Sequence, residues 1–379
     1  MKYSQDRILT THVGSLPRSK LVADTVFARE RGETVEDSDD IFRDAVDAVV
    51  AHQADTGIDI VSDGEMSKIS YATYIGDRVT GFGGDSDRQP PRDLEDFPGY
   101  LRKLATSGGT PTYRRPCCIG EIAVKDMGPV TADVHNFKAA LARHNPVEGF
   151  MNAASPGVIA LFQPNKYYPS HEAYLYALAD AMSHEYRTIV DAGLVLQLDS
   201  PDLGLGRHMM FKDRPDDEYR RLAALHVEAL NHAIRGLPGD RVRLHICWGN
   251  YEGPHHHDAP LEMVLPIALR ANVGALLFEA SNPRHAHEWE VLATMDLPEE
   301  LILIPGMIDS TTNFVEHPRL VAQRILRYAD IVGRERVMAG TDCGFSTFAG
   351  FGAVDEDIVY AKLGSLVEGA ASASEALWG

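Results

Sequence analysis

A chain of 379 residues that is 44% hydrophobic and 24% charged is long enough to bury a large core without cross-links. Its 36 Lys and Arg against 55 Asp and Glu leave a formal charge of −19, which argues against nucleic acid or a membrane surface as partner; an anionic substrate would need a local basic pocket. No apolar leader opens the chain and no run of about 18 apolar residues occurs, so a cytoplasmic location is expected, where Cys117, Cys118, Cys247 and Cys343 stay reduced.

In chain order, "DSDDIFRDAVDAVVAHQADTG" (37–57) has helical spacing and a glycine stop, and "IDIVSDGE" reads as a strand after it. "PCCIGEIAV" (116–124) reads as the next strand and "DVHNFKAALARH" as a helix. "GVIALF" is taken as a strand before the long helix "HEAYLYALADAMSHEYRTIVDAG", and "LVLQLDSP" (194–201) follows. A helix near 217–235 precedes "RVRLHICW". "PLEMVLPIALRA", "VGALLFEAS", a helix around 284–292, "ELILIPGMID", "PRLVAQRILRYADIVG", "RVMAGTDCG" and a C-terminal helix complete the series.

Strands alternating with helices, about eight of them and without a change of composition, predict an α/β fold: one (β/α)₈ barrel over residues 1–379, with a doubly wound open sheet as the alternative. The Pro-, Gly- and charge-rich stretch 83–115 fits no such unit and reads as an insertion over the barrel mouth or a partner-contacting arm, which leaves a homo-oligomer open.

Barrel chemistry sits where strands end at their carboxyl side. Those ends offer Asp63 and Glu65, Asp199, His245 and Cys247, Glu279, Asp309, and Asp342 with Cys343. Turn chemistry favours Asp and Gly but does not explain His, Cys or Glu. Residues two apart on a strand face the same side, so His245 and Cys247 can grip one ion; with Glu279 and Cys343 they would complete a tetrahedral Zn²⁺ set. The competing reading is a half-buried strand with buried cysteines as small hydrophobes, and spacing alone does not separate the two.

"THVGSLPR" (11–18), "SDGE" (62–65), "RRPCCIGEI" (114–122), "QLDSP" (197–201), "HIC" (245–247), "FEAS" (278–281) and "DCG" (342–344) come in an order that resembles the catalytic half of cobalamin-independent methionine synthase, over about residues 8 to 350. The resemblance implies a barrel of the methionine synthase/uroporphyrinogen decarboxylase type, with zinc on His245, Cys247, Glu279 and Cys343. It also implies that Val13, Gly14 and Ser15, with Glu65 and Asp199, hold the amino acid part of homocysteine. A free thiol is only about 3% thiolate at pH 7, and zinc removes that limit. The expected reaction is transfer of an alkyl group, methyl first, to a small thiol through a zinc-bound thiolate, with Glu279 the ligand that leaves.

Two departures from the pattern matter. The second, N-terminal barrel of full-length members is expected to be absent, and Thr311 stands where methionine synthases place a histidine two residues past the Asp309 equivalent. Asp309, His317, His255, His256 or His257 would then supply a proton to the leaving donor. The chain also resembles single-barrel epoxyalkane:coenzyme M transferases, whose sulfonated thiol would need Arg18 and Lys68. A third reading is a binding or assembly protein with a structural zinc. Asp342 is expected to orient the metal set, and Trp248 with 345–350 to wall the alkyl donor.

Overall fold

The structure, a computed structural model, describes residues 1–86, 90–106, 115–350 and 352–379. In order the chain forms α1 (Lys20–Glu30), α2 (Ser38–Thr56), β1 (Ile60–Ser62), β2 (Phe82–Gly83), α3 (Arg92–Glu95), α4 (Pro98–Thr106), β3 (Cys117–Cys118), α5 (Gly128–His144), β4 (Glu148–Ala154), α6 (Pro156–Phe162) and α7 (His171–Asp191). The second half adds β5 (Val195–Asp199), α8 (Asp216–Ala233), β6 (Val242–Ile246), α9 (Leu261–Ala268), β7 (Ala275–Phe278), α10 (Trp289–Thr294), β8 (Ile302–Ile308), α11 (Pro318–Val332), β9 (Gly340–Thr341) and α12 (Glu356–Trp378). Among the described residues no helix is long and apolar enough to cross a membrane.

β1, β4, β5, β6, β7, β8 and β9 lie side by side, all parallel. Residues 9–11 close the curl. Ala339 N–H donates to Leu9 O and Thr11 N–H to Ala339 O, each at 2.9 Å, and Ile60 N–H donates to Thr10 O at 3.0 Å. The parallel Thr10–Ala339 bridge completes the ring, with helices between successive staves. This is the expected (β/α)₈ barrel.

Two expected staves are not in it. "PCCIGEIAV" supplies only the short β3, which pairs antiparallel with β2 outside the ring, Phe82 opposite Cys118. "GVIALF" is the helix α6, because Ser155 accepts the Val158 N–H at 3.0 Å as N-cap and Pro156 opens the first turn. The stave is instead β4, "EGFMNAA", whose Gly, Asn and Ala have poor strand propensity but which is buried along nearly its whole length. Of the expected insertion, 87–89 and 107–114 lie outside the described residues, Arg114 of "RRPCCIGEI" among them.

Period two sorts the strands. On β5, β6 and β7, Leu196, Leu198, Val242, Leu244, Ile246, Leu276 and Phe278 join the core beneath the helices. Val195, Ala275 and Leu277 join a second cluster with Leu9, Ile60, Phe150 and Ile304 inside the barrel. Continued toward the carboxyl ends, that inner series reaches Gln197 and Asp199, Arg243, His245 and Cys247, and Glu279. Arg243 fills the barrel centre: it stacks 3.7 Å over Phe150 and donates to Gln197 Oε1 at 2.9 Å.

Candidate metal centre and thiol site

His245 is the last residue but one of β6, Cys247 directly follows that strand, and Cys343 follows β9. Their ligating atoms lie within 4.8 Å of one another, and all three residues are buried. His245 Nδ1 is 3.1 Å from Asp199 Oδ1, and Cys343 Sγ is 4.0 Å from His245 Nε2. Nε2 lies 3.3 Å from Asp342 O as well; with Nδ1–H donated to Asp199, its lone pair is free for a metal, which is the tautomer a metal needs. The hydrogen bond to Cys247, burial, and the charges of Cys247, Glu279 and Asp342 hold the Cys343 thiol well above its ordinary pKa. Two thiols, an imidazole and nearby carboxylates thus converge where a divalent cation would relieve the repulsion. The donor set fits zinc.

Glu279, the expected fourth ligand, stands beside the three but outside their cluster. Its Oε1 accepts the Trp248 N–H at 2.7 Å and its Oε2 the Asn282 amide at 2.9 Å. Asp342 fixes that loop: Oδ1 accepts from Ala280 N and Ser281 N at 2.8 and 2.9 Å, and Oδ2 from Asn282 N at 2.6 Å. One aspartate therefore joins the residue before Cys343 to the turn after Glu279, as expected of an orienter.

The residues expected to hold the amino acid lie against the same face. Asn152 donates to Val13 O at 2.6 Å and to Asp199 Oδ2 at 2.9 Å, which leaves no room for a side chain at position 14. A Cβ on Gly14, at φ 141°, would fall 2.1 Å from Asn152 Oδ1. Ser15 O accepts Phe345 N–H at 2.9 Å and ties the 13–15 segment to the loop after Cys343. Glu65, in the left-handed region at φ 58°, is buried, and its Oε2 has no hydrogen-bond partner among the described residues. Burial, opposed by Lys68 and supported by Asp199, raises its carboxyl to about 7. A buried carboxylate oxygen without a partner among the described residues is able to accept from a cationic group.

Arg18 and Lys68 do not present free charge. Arg18 donates to Glu65 O at 2.7 Å, to Ser346 O at 2.8 Å and to Ser346 Oγ at 3.1 Å, clasping two loops. Lys68 is buried with Nζ on Asn152 O at 3.0 Å, among Asp63, Glu65, Asp133 and Glu185.

The proposed proton donors are also placed elsewhere. Asp309 spends both oxygens on its own turn, accepting from the N–H and hydroxyl of Thr311 and of Thr312. His255 is buried between Asp258 Oδ2 (2.8 Å) and Tyr251 O (3.1 Å). Burial works to lower its pKa, but Asp258, Glu279 and the Tyr251 carbonyl outweigh that and raise it to about 9. His256 and His257 lie at the surface against Asp96, and His317 caps α11. Trp248 donates to Ala259 O and stacks on His285 at 4.0 Å, so it is core packing rather than a donor wall.

Sequence reasoning passed over Tyr71. Its phenol is raised well above its ordinary pKa by burial, then by Cys247, Asp199, Cys343 and Glu65. No hydrogen-bond partner for its OH occurs among the described residues. Nothing in "SKISYATY" distinguishes this aromatic from a packing residue.

Comparison with known proteins agrees with this architecture. The profile of the family described as "Cobalamin-independent synthase, Catalytic domain" matches residues 8–370, and the chain belongs to that family. A methionine synthase of Saccharolobus solfataricus is 26% identical over 362 residues, covering 95% of this chain and 93% of the relative. One from Sulfolobus acidocaldarius is 24% identical over 339 residues, covering 88% and 85%. Among solved structures, a B12-independent methionine synthase from Shewanella sp. W3-18-1 in complex with selenomethionine superposes with a TM-score of 0.75 at 20% identity, covering 98% of this chain and 99% of that one. A putative vitamin-B12 independent methionine synthase from Listeria monocytogenes gives 0.67, also at 20% identity and with coverage of 98% and 99%. These two share its fold.

Proposed function

We propose that this chain is a zinc-dependent methyltransferase that moves a methyl group onto the sulfur of homocysteine, with residues 1–379 acting as one catalytic barrel. Family membership and the curated methionine synthases support the reaction class. The observation that carries the substrate is the partnerless Glu65 Oε2 beside the His245–Cys247–Cys343 cluster. That pairing suits a thiol bearing an ammonium.

His245, Cys247 and Cys343 would hold the zinc, with Glu279 as the adjoining carboxylate. A zinc ion bound there supplies the positive charge that keeps an incoming thiol ionised at neutral pH. Asp199 holds His245 in register through Nδ1, and Glu65 receives the substrate ammonium. The 13–15 segment lines the same pocket. In the transfer a sulfur–methyl bond forms as the donor's bond to methyl breaks, the bonding pair stays on the donor heteroatom, and that atom takes a proton. Tyr71 is the group we assign to give it, because its phenol lies among Cys247, Asp199, Cys343 and Glu65 and its OH has no hydrogen-bond partner among the described residues.

The engaged state of Arg18 and Lys68 weighs against coenzyme M and its sulfonate. Zinc-loaded protein given homocysteine or coenzyme M, each with methyl-folate, methylcobalamin or epoxypropane, separates the readings by the thioether formed. Methionine from a methyl donor is the expected product. Turnover of only the epoxide with coenzyme M would overturn the assignment, and a loaded, folded protein with no turnover would favour a structural zinc.

A further inference from the structure

Of the three consecutive histidines, the reaction absorbs none. His256 and His257 are the central residues of a turn closed by Asp258 N–H on His255 O at 3.2 Å. Both rings point outward to one acceptor, Asp96 Oδ2, at 2.9 Å from His256 Nε2 and 2.6 Å from His257 Nε2. The ring centroids are 4.2 Å apart, and the three ligating atoms fall within 4.8 Å of one another. Asp96 comes from the opposite side, where α3 turns into α4 on the insertion arm.

We propose that Asp96, His256 and His257 bind a second divalent cation of the Zn²⁺, Co²⁺ or Ni²⁺ class, which fastens the insertion arm to the loop leading out of Cys247. The donors are held in place by surrounding contacts. Asp93 Oδ2, one turn before Asp96, accepts His255 N–H at 2.9 Å and Tyr251 OH at 2.7 Å. Tyr100 OH donates to Glu252 O at 2.5 Å, and Lys212 pairs with Glu95 at 2.8 Å. The His255 ring, clamped by Asp258 and Tyr251, anchors the start of the turn. An ion arriving here meets ligands that have already lost most of their freedom.

The donor chemistry selects the ion. Two imidazole nitrogens and one carboxylate oxygen suit borderline metals, whereas Mg²⁺ and Ca²⁺ prefer all-oxygen shells. Side-chain exposures of 36%, 30% and 48% leave room for water in the remaining positions, so the site is open and binds more weakly than the buried set. Arg284 Nη2 donates to His256 O at 3.5 Å, and Phe97 packs edge-on against the His256 ring. A bound ion would bridge chain segments about 160 positions apart, so arm docking would follow metal supply.

Titration with Co²⁺ tests this independently of the catalytic assignment. Cobalt in the buried set gives a sulfur-to-metal charge-transfer band, and cobalt on Asp96, His256 and His257 gives none. The wild type should bind one ion beyond those that build the band. The double variant His256→Ala/His257→Ala should lose that extra ion and keep the band, whereas Cys247→Ser should do the reverse. Amide exchange across 90–104 should slow on metal addition in the wild type and stay unchanged in the double variant. Asp96→Asn should lose the same ion, which covers a double variant that folds poorly. The proposal is overturned if no extra ion binds to the wild type, or if it persists in the histidine and aspartate variants.

Discussion

Replacing Glu65 with Gln isolates the group on which the proposed choice of substrate rests. Folding buries its carboxyl and raises it from 4.5 to about 7, so ionising it in the folded, metal-free protein costs roughly 3 kcal/mol, at about 1.4 kcal/mol per pH unit. The direction follows from the protons. Between those pH values the folded protein keeps a proton that the unfolded chain has released, so this group's stabilisation is full below pH 4.5 and is lost as pH rises to 7. Glu65→Gln has no such proton. Urea unfolding of chelator-treated proteins should therefore show the variant gaining on the wild type by roughly 3 kcal/mol between pH 4.5 and pH 8. The same substitution removes the charged partner proposed for the substrate ammonium, so KM for homocysteine should rise roughly 10- to 100-fold with a smaller change in kcat. A stability difference independent of pH, together with an unchanged KM, would refute both the buried carboxyl and its role.

Cys247→Ser and Cys343→Ser should each abolish tight zinc retention while circular dichroism stays that of the wild type, as measured by metal analysis after dialysis. Asp199→Asn, which weakens the hold on His245 Nδ1, should lower zinc affinity about 10- to 100-fold in a chelator competition. Tyr71→Phe should reduce kcat about 100-fold or more with little change in KM, and the loss should shrink with a donor whose leaving atom needs no proton. Asp309→Ala, which strips the turn at Thr311 and Thr312, should cost roughly 1–2 kcal/mol of stability and leave the pH dependence of kcat intact.

The barrel was legible because most strands carry a continuous apolar run between capped helices, and the total of about eight came out right even though two members were misplaced. β4 was missed because "EGFMNAA" looks like a loop until burial on both faces is known. "GVIALF" looked like a strand because Ser155 and Pro156, which cap it as a helix, precede the apolar run. Period two was enough to put His245 and Cys247 on one face of β6. That Cys343 would meet them required the closed ring, since β9 and β6 are separated by β7 and β8. The metal set could therefore be named from motif order, but Tyr71 and the engagement of Arg18 and Lys68 could not, because these depend on which carbonyls and charges face them after folding. The triple histidine shows the same limit: one member is buried on Asp258, and two share a carboxylate from a segment about 160 positions away.

X-ray absorption at the zinc edge of the zinc-loaded protein tests the central claim directly. Two sulfur neighbours from Cys247 and Cys343 and an imidazole nitrogen from His245 are expected, and neither serine variant should retain a sulfur-ligated ion. A bound ion surrounded only by nitrogen and oxygen, or a protein that retains no stoichiometric metal, would contradict it.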